Sequence, residues 1–311
     1  SPAPRSRAYR EVVIEDTVEQ LRTEAAGAVR RLLAGTDEPP HRIDERADDG
    51  WCGPGSATWH VHGDLSMLVG GVRALLLQTL HPGAMAGVAD HSSYREDPLG
   101  RLHRTGAFVL ATTCGSTSEA EQAVEVVRTV HRRVVGTTPE GVPYSADDPH
   151  LLLWVHATEV DSFLRAHVRY AADPLPPEER DRYVAEMALV AERLGATDVP
   201  RTVEELRTCL RAFRPELRAG PQAREAVRFL VLPPGPLLAK GPYAVVLSAA
   251  VTLLPRWIRW ELRLPVVPLS ERLAVRPATT ALLRTLGWVM GPHEALAAEA
   301  PAHAAGHTSS N

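Results

Sequence analysis

The sequence predicts an all-α protein, with about ten helices in a single large multi-helix domain. The chain has 311 residues, which is enough to bury a substantial core. Aromatic residues make up only 5% of it, so the core must be built mainly from leucine, valine and alanine, a composition that favours helices over strands. Apolar residues recur at helical spacing along most of the chain, and no stretch alternates convincingly with a period of two.

Charge and cysteine usage narrow the class of protein. The formal net charge is −4 and no long block of like charge occurs, so a nucleic-acid partner is not expected. Cys52, Cys114 and Cys209 are too widely spaced for a disulfide framework or a C-x-x-C metal clip, which favours a reducing, cytoplasmic location. No apolar run reaches the roughly 18 residues of a transmembrane segment.

The predicted elements divide the chain into three parts. Residues 1–58 contain an amphipathic helix at 9–33 and a loop rich in proline, aspartate and glycine. Residues 59–290 form the helical domain, and residues 291–311, rich in alanine and histidine, are predicted to be a disordered tail. Within the domain, the predicted helices cover residues 59–80, 83–90, 101–114, 118–136, 148–173, 174–195, 202–213, 221–232 and 270–286, with an apolar helix and, after Pro255, an Arg/Trp-rich helix within 237–262.

Capping residues support two of these boundaries. Ser118 and Glu121 have the spacing of a capping box, and Gly136 stands where a C-terminal glycine cap belongs. Asp148 followed by Pro149 supplies an N-cap and a first-turn proline for the next helix.

His131 is the histidine with the most informative surroundings. Its neighbours one helical turn away are Val127, Arg128, Val134 and Val135, so its side chain shares a valine face that should point inward. A neutral imidazole in an apolar pocket is what an axial iron ligand requires. A hydrogen-bonded core histidine would give the same pattern, and spacing alone favours that simpler interpretation.

His156 is a second histidine expected to point at the core. It shares a buried helix with Leu152, Leu153 and Val160, and either packs there or hydrogen-bonds a metal ligand. Glu159 follows three residues later, but a di-iron site needs a second such pair, which the chain lacks.

Arg101, Arg104 and Thr105 form an R-x-x-R-T pattern on one helix face. Guanidinium groups at the mouth of an apolar pocket can pair with carboxylates such as haem propionates, and a threonine hydroxyl can bond a bound oxygen molecule. An ordinary basic helix face paired with Glu96 and Asp97 is the alternative.

The remaining histidines and motifs give weaker signals. His60 and His62 are interpreted as a loop pair with local hydrogen bonds, and His81 as a helix-capping residue. The metalloprotease, nucleophile-elbow, P-loop and dinucleotide motifs do not occur. Neither does C-x-x-C-H, so any haem would be bound non-covalently.

Several long segments of the chain nevertheless resemble one known protein family. Residues 68–92, 94–116, 127–164 and 180–195 resemble the family long called domain of unknown function 2236. Its described members include the rubber oxygenase, or latex-clearing protein, and the membrane-bound oxygenase of mycophenolic acid biosynthesis. The similarity runs from about residue 64 to residue 286.

The resemblance implies a globin-like helical core that holds haem b non-covalently. The family's V-R-x-x-H-R pattern makes His131 the proximal iron ligand and places Arg128 beside it. Its R-x-x-K-T segment falls on Arg101, Arg104 and Thr105, and its W-V-H histidine on His156. Arg104 departs from the rubber oxygenase, whose lysine can cap the distal iron face. Arginine keeps its proton, so the distal position is expected to be open, water-bound or guarded by Arg104.

The implied function is a haem b-dependent oxygenase or oxidase that uses O₂ or peroxide on a small hydrophobic substrate, such as an isoprenoid or a natural product. The roles divide as follows: His131 binds iron, Arg101 and Arg104 bind propionates or form the distal network, Thr105 contacts the bound ligand, and Arg128 and His156 support the site. The expected catalytic residues are Arg104, Thr105 and His156.

Two alternatives remain open on the residues alone: a non-catalytic haem sensor or carrier, and a cofactor-free helical interaction protein. Trp257 and Trp260, beside arginines, would suit peripheral membrane contact, although packing against the core is favoured.

Overall fold

A computed structural model of the chain describes residues 20, 22–27, 48–232, 237–265 and 270–291. The described part is almost entirely helical, which confirms the all-α class. Single 3₁₀ turns occur at Pro177–Glu179 and Arg214–Glu216, and a π-helical turn at Glu271–Val275. The helices are α1 (Ala57–His62), α2 (Met67–Gln78), α3 (Pro82–His91), α4 (Pro98–Cys114), α5 (Thr117–His131), α6 (Pro149–Tyr170), α7 (Arg180–Leu194), α8 (Val203–Ala212), α9 (Pro221–Val231), α10 (Leu237–Thr252), α11 (Arg256–Glu261) and α12 (Arg276–Met290).

The two ends of the chain fall largely outside this description. Of the predicted helix at 9–33, residues 20 and 22–27 are described and are helical. The predicted tail lies outside the described residues after position 291. Among the helices that the structure describes, none combines the length and apolarity needed to span a bilayer.

The single helix predicted at residues 59–80 is wrong, because the structure has two helices there, α1 and α2. The side chain of Asp64 accepts a hydrogen bond from the amide of Ser66 at 2.7 Å. Such a local side-chain bond offers the backbone an alternative to the helical ladder. The break turns α1 into a separate element that packs against α7.

The predicted start and end of α5 also require correction. Ser116, rather than Ser118, is the N-cap, and it forms the capping box with Glu119: the Ser116 amide donates to Glu119 Oε2 at 2.7 Å. The helix ends at His131 instead of Gly136. His131 therefore lies in the last turn, immediately before the chain leaves the helix.

The prediction of no strands is wrong for one short hairpin. Strands β1 (Val135–Thr137) and β2 (Pro143–Ser145) pair antiparallel, with Gly136 opposite Tyr144. A Cβ atom at Gly136 would lie 2.6 Å from the Tyr144 hydroxyl oxygen, which is closer than real atoms approach. Gly136 is thus a glycine because of this close packing and not because it caps a helix.

Helix α6 runs through the centre of the fold. Asp148 accepts a hydrogen bond from the amide of His150 at 2.9 Å and Pro149 follows it, which confirms the predicted start. Helix α2 packs along much of α6, and α7 and α8 also pack against it. Gly70 of α2 allows this close approach, since a Cβ there would lie 2.7 Å from the Phe163 ring.

Helices α4 and α5 form an antiparallel hairpin at the edge of this core. The hairpin is attached mainly through α5 to α7 and through α4 to α1. Neither helix of the hairpin packs closely along α6.

Candidate functional site

The hairpin brings His131 and Arg101 together. His131 shares a face of α5 with the buried residues Ala120 and Val124. The predicted valine face ends at His131, because α5 stops there and Val135 lies in β1, 53% exposed. Burial lowers the pKa of His131; the Asp147 carboxylate opposes this shift and the nearby Arg101 guanidinium adds to it. The imidazole is therefore neutral at pH 7, and a neutral imidazole can bind a metal.

Arg101 has a partly covered side chain with one defined partner. Its guanidinium donates a hydrogen bond to Ser92 Oγ at 2.9 Å. Burial lowers the pKa of Arg101, and the charge of Arg104 lowers it further. Because arginine stays protonated even so, Arg101 is a fixed positive charge next to a neutral histidine.

Arg104 and Thr105 lie on the exposed part of α4. The Arg104 side chain is 63% exposed and lies 3.5 Å from Asp97 Oδ2. The Thr105 hydroxyl donates to the Arg101 carbonyl at 3.1 Å. Among the described residues, no hydrogen bond or ion pair joins either side chain to His131, so their predicted roles stay predictions.

Arg128 lies one turn before His131, on the inner side of α5. Its Nε atom is buried and has no hydrogen-bond partner within the described part of the chain. A buried guanidinium nitrogen without an acceptor is costly, so it marks a place where an acceptor from another molecule would be favourable.

His156 is buried on α6, as predicted. Burial alone lowers its pKa to about 4, with no hydrogen bond contributing to the shift. Glu159 follows one turn later on the same side, and burial alone raises the pKa of its carboxyl group to about 7. A carboxyl group with this pKa can release or take up a proton near neutral pH.

Glu159 is a candidate that the sequence interpretation set aside with the di-iron motif. A carboxyl group one helical turn from an inward histidine was the available signal. Only the structure supplies its buried surroundings.

His62 forms a third enclosed polar group, bonded to Tyr183. Its Nδ1 atom lies 2.8 Å from Thr113 Oγ1 and its Nε2 atom 3.1 Å from the Tyr183 hydroxyl. Burial lowers the pKa of His62 to about 3 and raises the pKa of Tyr183, to which the charge of Glu159 also contributes. The prediction of a loop pair is wrong: His60 and His62 both belong to helix α1.

The hairpin also exposes large apolar side chains. Four of them are between 43% and 58% exposed: Leu102, Leu110, Val126 and Val130. Large apolar side chains exposed on one hairpin are typical of a surface that contacts another molecule.

Comparison with known proteins identifies two related chains. An uncharacterized protein of Mycobacterium bovis and one of Mycobacterium tuberculosis are each 30% identical over 127 residues. The match covers 40% of this chain and 48% of each relative, so it spans about half the length of these curated relatives. No solved structure matches the chain.

A protein-family match covers most of the chain. Residues 59–291 match the family described as "ER-bound oxygenase mpaB/B'/Rubber oxygenase, catalytic domain". The match includes the α4–α5 hairpin, the central helix α6 and every predicted site residue. The chain therefore belongs to the mpaB and rubber oxygenase catalytic-domain family.

Proposed function

We propose that this protein is a haem b-dependent oxygenase or oxidase that acts on a small hydrophobic substrate with O₂ or peroxide. The observation that carries the proposal is the neutral, inward-facing His131 beside the charged Arg101 on a hairpin with exposed apolar side chains. Family membership supplies the oxygenase class. The haem and the kind of substrate rest on the chemistry of the residues.

The donor set of the hairpin fits a haem. His131 offers a neutral imidazole to the iron, and the unpaired Nε of Arg128 together with Arg101 offers donors to the propionate carboxylates. The exposed apolar side chains of α4 and α5 suit the faces of a porphyrin. When bound, an imidazole-ligated haem iron supplies oxygen binding and one-electron redox chemistry.

The other site residues have roles in holding protons and polar atoms. Glu159, with a pKa of about 7, can deliver or accept a proton at neutral pH, whereas His156 stays neutral and can accept a hydrogen bond. Arg104 and Thr105, at the exposed part of α4, would form the polar rim through which ligands enter. The exposed leucine and valine side chains of α4 and α5 would favour an apolar substrate such as an isoprenoid or a natural product.

Haem titration of the purified chain tests the cofactor. We expect one haem per chain, measured by a Soret absorbance band and by quantifying the extracted haem. His131→Ala should lose that band, because no other group would replace the axial imidazole. His91→Ala is the matched control: His91 is exposed and hydrogen-bonds only the Val135 carbonyl within the described chain, so haem uptake should not change.

The result that overturns the proposal is a wild-type chain that does not take up haem, or a His131→Ala variant with an unchanged Soret band.

Oxygen consumption then separates an oxygenase from a haem sensor or carrier. An oxygenase consumes O₂ only when an apolar substrate such as a short isoprenoid alkene is present. A sensor or carrier binds gas or haem reversibly without net consumption.

A further inference from the structure

Two histidines and a glutamate meet at the N-terminal end of α6, apart from the proposed haem site. His81 is the N-cap residue of α3, His150 lies in the first turn of α6, and Glu216 lies in the 3₁₀ turn after α8. One ligating atom from each lies within 4.8 Å of the other two. Three elements that are distant in sequence thus direct metal-ligating atoms to one point.

The distances between these atoms fit a common metal ion. His150 Nε2 lies 2.9 and 3.0 Å from the two carboxylate oxygens of Glu216, and His81 Nε2 lies 3.3 Å from one of them. Tetrahedral coordination with bonds of about 2.0–2.1 Å separates neighbouring ligand atoms by about 3.3 Å. Small side-chain movements would therefore accommodate the ion.

The two histidine rings are held in place by buried aromatic residues. Phe213 stacks on the His150 ring with a centroid distance of 4.5 Å and an interplanar angle of 29°. Trp154 contacts both Phe213 and His81. Trp154 and Phe213 are buried, so the rings that they contact are oriented before any ion binds.

The charges around the cluster permit a cation. The Glu216 carboxylate supplies negative charge to a bound cation, and imidazole nitrogens are common ligands of such ions. The Arg218 guanidinium, which would repel a cation, lies 3.6 Å from the Glu140 carboxylate, and that pairing offsets part of its charge.

We propose that His81, His150 and Glu216 form a binding site for a divalent first-row transition-metal ion such as Zn²⁺. Two imidazoles and one carboxylate satisfy three positions of a tetrahedral ion and leave the fourth for water or another ligand. His150 and Glu216 are about half exposed, so an ion has access from solvent. A bound ion would link the start of α3, the start of α6 and the turn after α8, and would therefore stabilise the fold.

Zinc titration of the full chain, freed of metal by a chelator, tests this site. Calorimetry should give one Zn²⁺ per chain, and the thermal unfolding midpoint should rise with zinc concentration. Glu216→Gln and His150→Ala should each bind zinc at least tenfold more weakly, because each removes one of three ligands. Circular dichroism of both variants shows whether they remain folded.

Two controls separate this site from other histidines. His60→Ala removes a different histidine near a carboxylate, 4.0 Å from Asp173, and should bind zinc like the wild type. His131→Ala should also retain zinc binding, whatever its effect on haem. The proposal is overturned if the wild type binds no zinc, or if Glu216→Gln and His150→Ala bind it with unchanged affinity.

Discussion

Two groups of polar side chains on and near helix α6 differ in their partners. On the side facing α2, Arg73 is almost fully buried and has a partner for each nitrogen atom. Its guanidinium lies 2.8 Å from the Asp161 carboxylate and donates to Ser162 Oγ at 2.7 Å and to the Leu253 carbonyl at 3.2 Å. A buried charge satisfied in this way holds neighbouring elements together.

His156 and Glu159, also on α6, have pKa values that burial alone shifts. Arg128 on the α4–α5 hairpin has a buried Nε atom with no hydrogen-bond partner within the described part of the chain. We call His156, Glu159 and Arg128 the unpaired group, and Arg73, Asp161 and Ser162 the paired group. Shifted pKa values caused by burial are characteristic of functional sites, although structural residues can show them too.

The largest loss of unfolding free energy is expected for Asp161→Ala, in the paired group. The variant leaves the Arg73 charge buried without a carboxylate, which typically costs about 3–5 kcal/mol of unfolding free energy. Urea denaturation measures this loss. Arg165→Ala is the control, since Arg165 also pairs with Asp161 but is 47% exposed, and it should cost about 1 kcal/mol or less. Similar losses in the two variants would contradict a structural role specific to Arg73 and Asp161.

Glu159→Gln, in the unpaired group, is expected to raise the free energy of unfolding at pH 8, a smaller effect of opposite sign. The pKa of Glu159 is raised from 4.5 to about 7, so the folded protein keeps a proton there that the unfolded chain loses. The resulting stability is fully present below pH 4.5 and is lost as the pH rises through 7. Because glutamine cannot ionise, the variant should be more stable than the wild type at pH 8 by on the order of 2 kcal/mol, and about equal at pH 4.5.

Urea denaturation at both pH values measures the Glu159 effect. Glu178→Gln is the matched control, because Glu178 is exposed in a 3₁₀ turn and its replacement should not change the pH dependence. A Glu159→Gln variant that is less stable than the wild type at pH 8 would show that the carboxylate has a stabilising partner.

Local sequence patterns were sufficient to predict the helical fold and several helix boundaries. The valine spacing predicted the face of His131 only in part, because α5 ends at His131 and Val135 belongs to β1, where it is 53% exposed. Asp148 and Pro149 gave the start of α6 for a similarly local reason. Where a local alternative competed, the prediction failed: Asp64 interrupts a stretch whose apolar pattern is continuous.

The polar clusters could not be predicted in the same way. Glu216 lies 66 residues from His150 and 135 from His81 along the chain, so no spacing pattern connects the three. The raised pKa of Glu159 depends on burial by helices distant in sequence, which periodicity does not report. Family resemblance pointed to His131, but only coordinates distinguish a satisfied buried group from an unsatisfied one.

Arg104→Lys is expected to change the free energy of unfolding least. It also tests whether a side chain at position 104 can reach the iron of a bound haem. Arg104 is exposed and pairs with Asp97 at 3.5 Å, a surface interaction worth about 0–1 kcal/mol that a lysine also forms. Unfolding should therefore be nearly unchanged. A neutral lysine amine, unlike a guanidinium, can ligate iron, so the haem-loaded variant should gain a low-spin absorbance spectrum as the pH rises.

Arg104→Ala is the control for that spectrum, because alanine offers no ligand and should leave it as in the wild type. A low-spin conversion limited to the lysine variant would place residue 104 within reach of the iron. An unchanged spectrum would instead assign Arg104 to its surface pair with Asp97, and Arg101 and Arg128 would then be the arginines of the hairpin available to a bound haem.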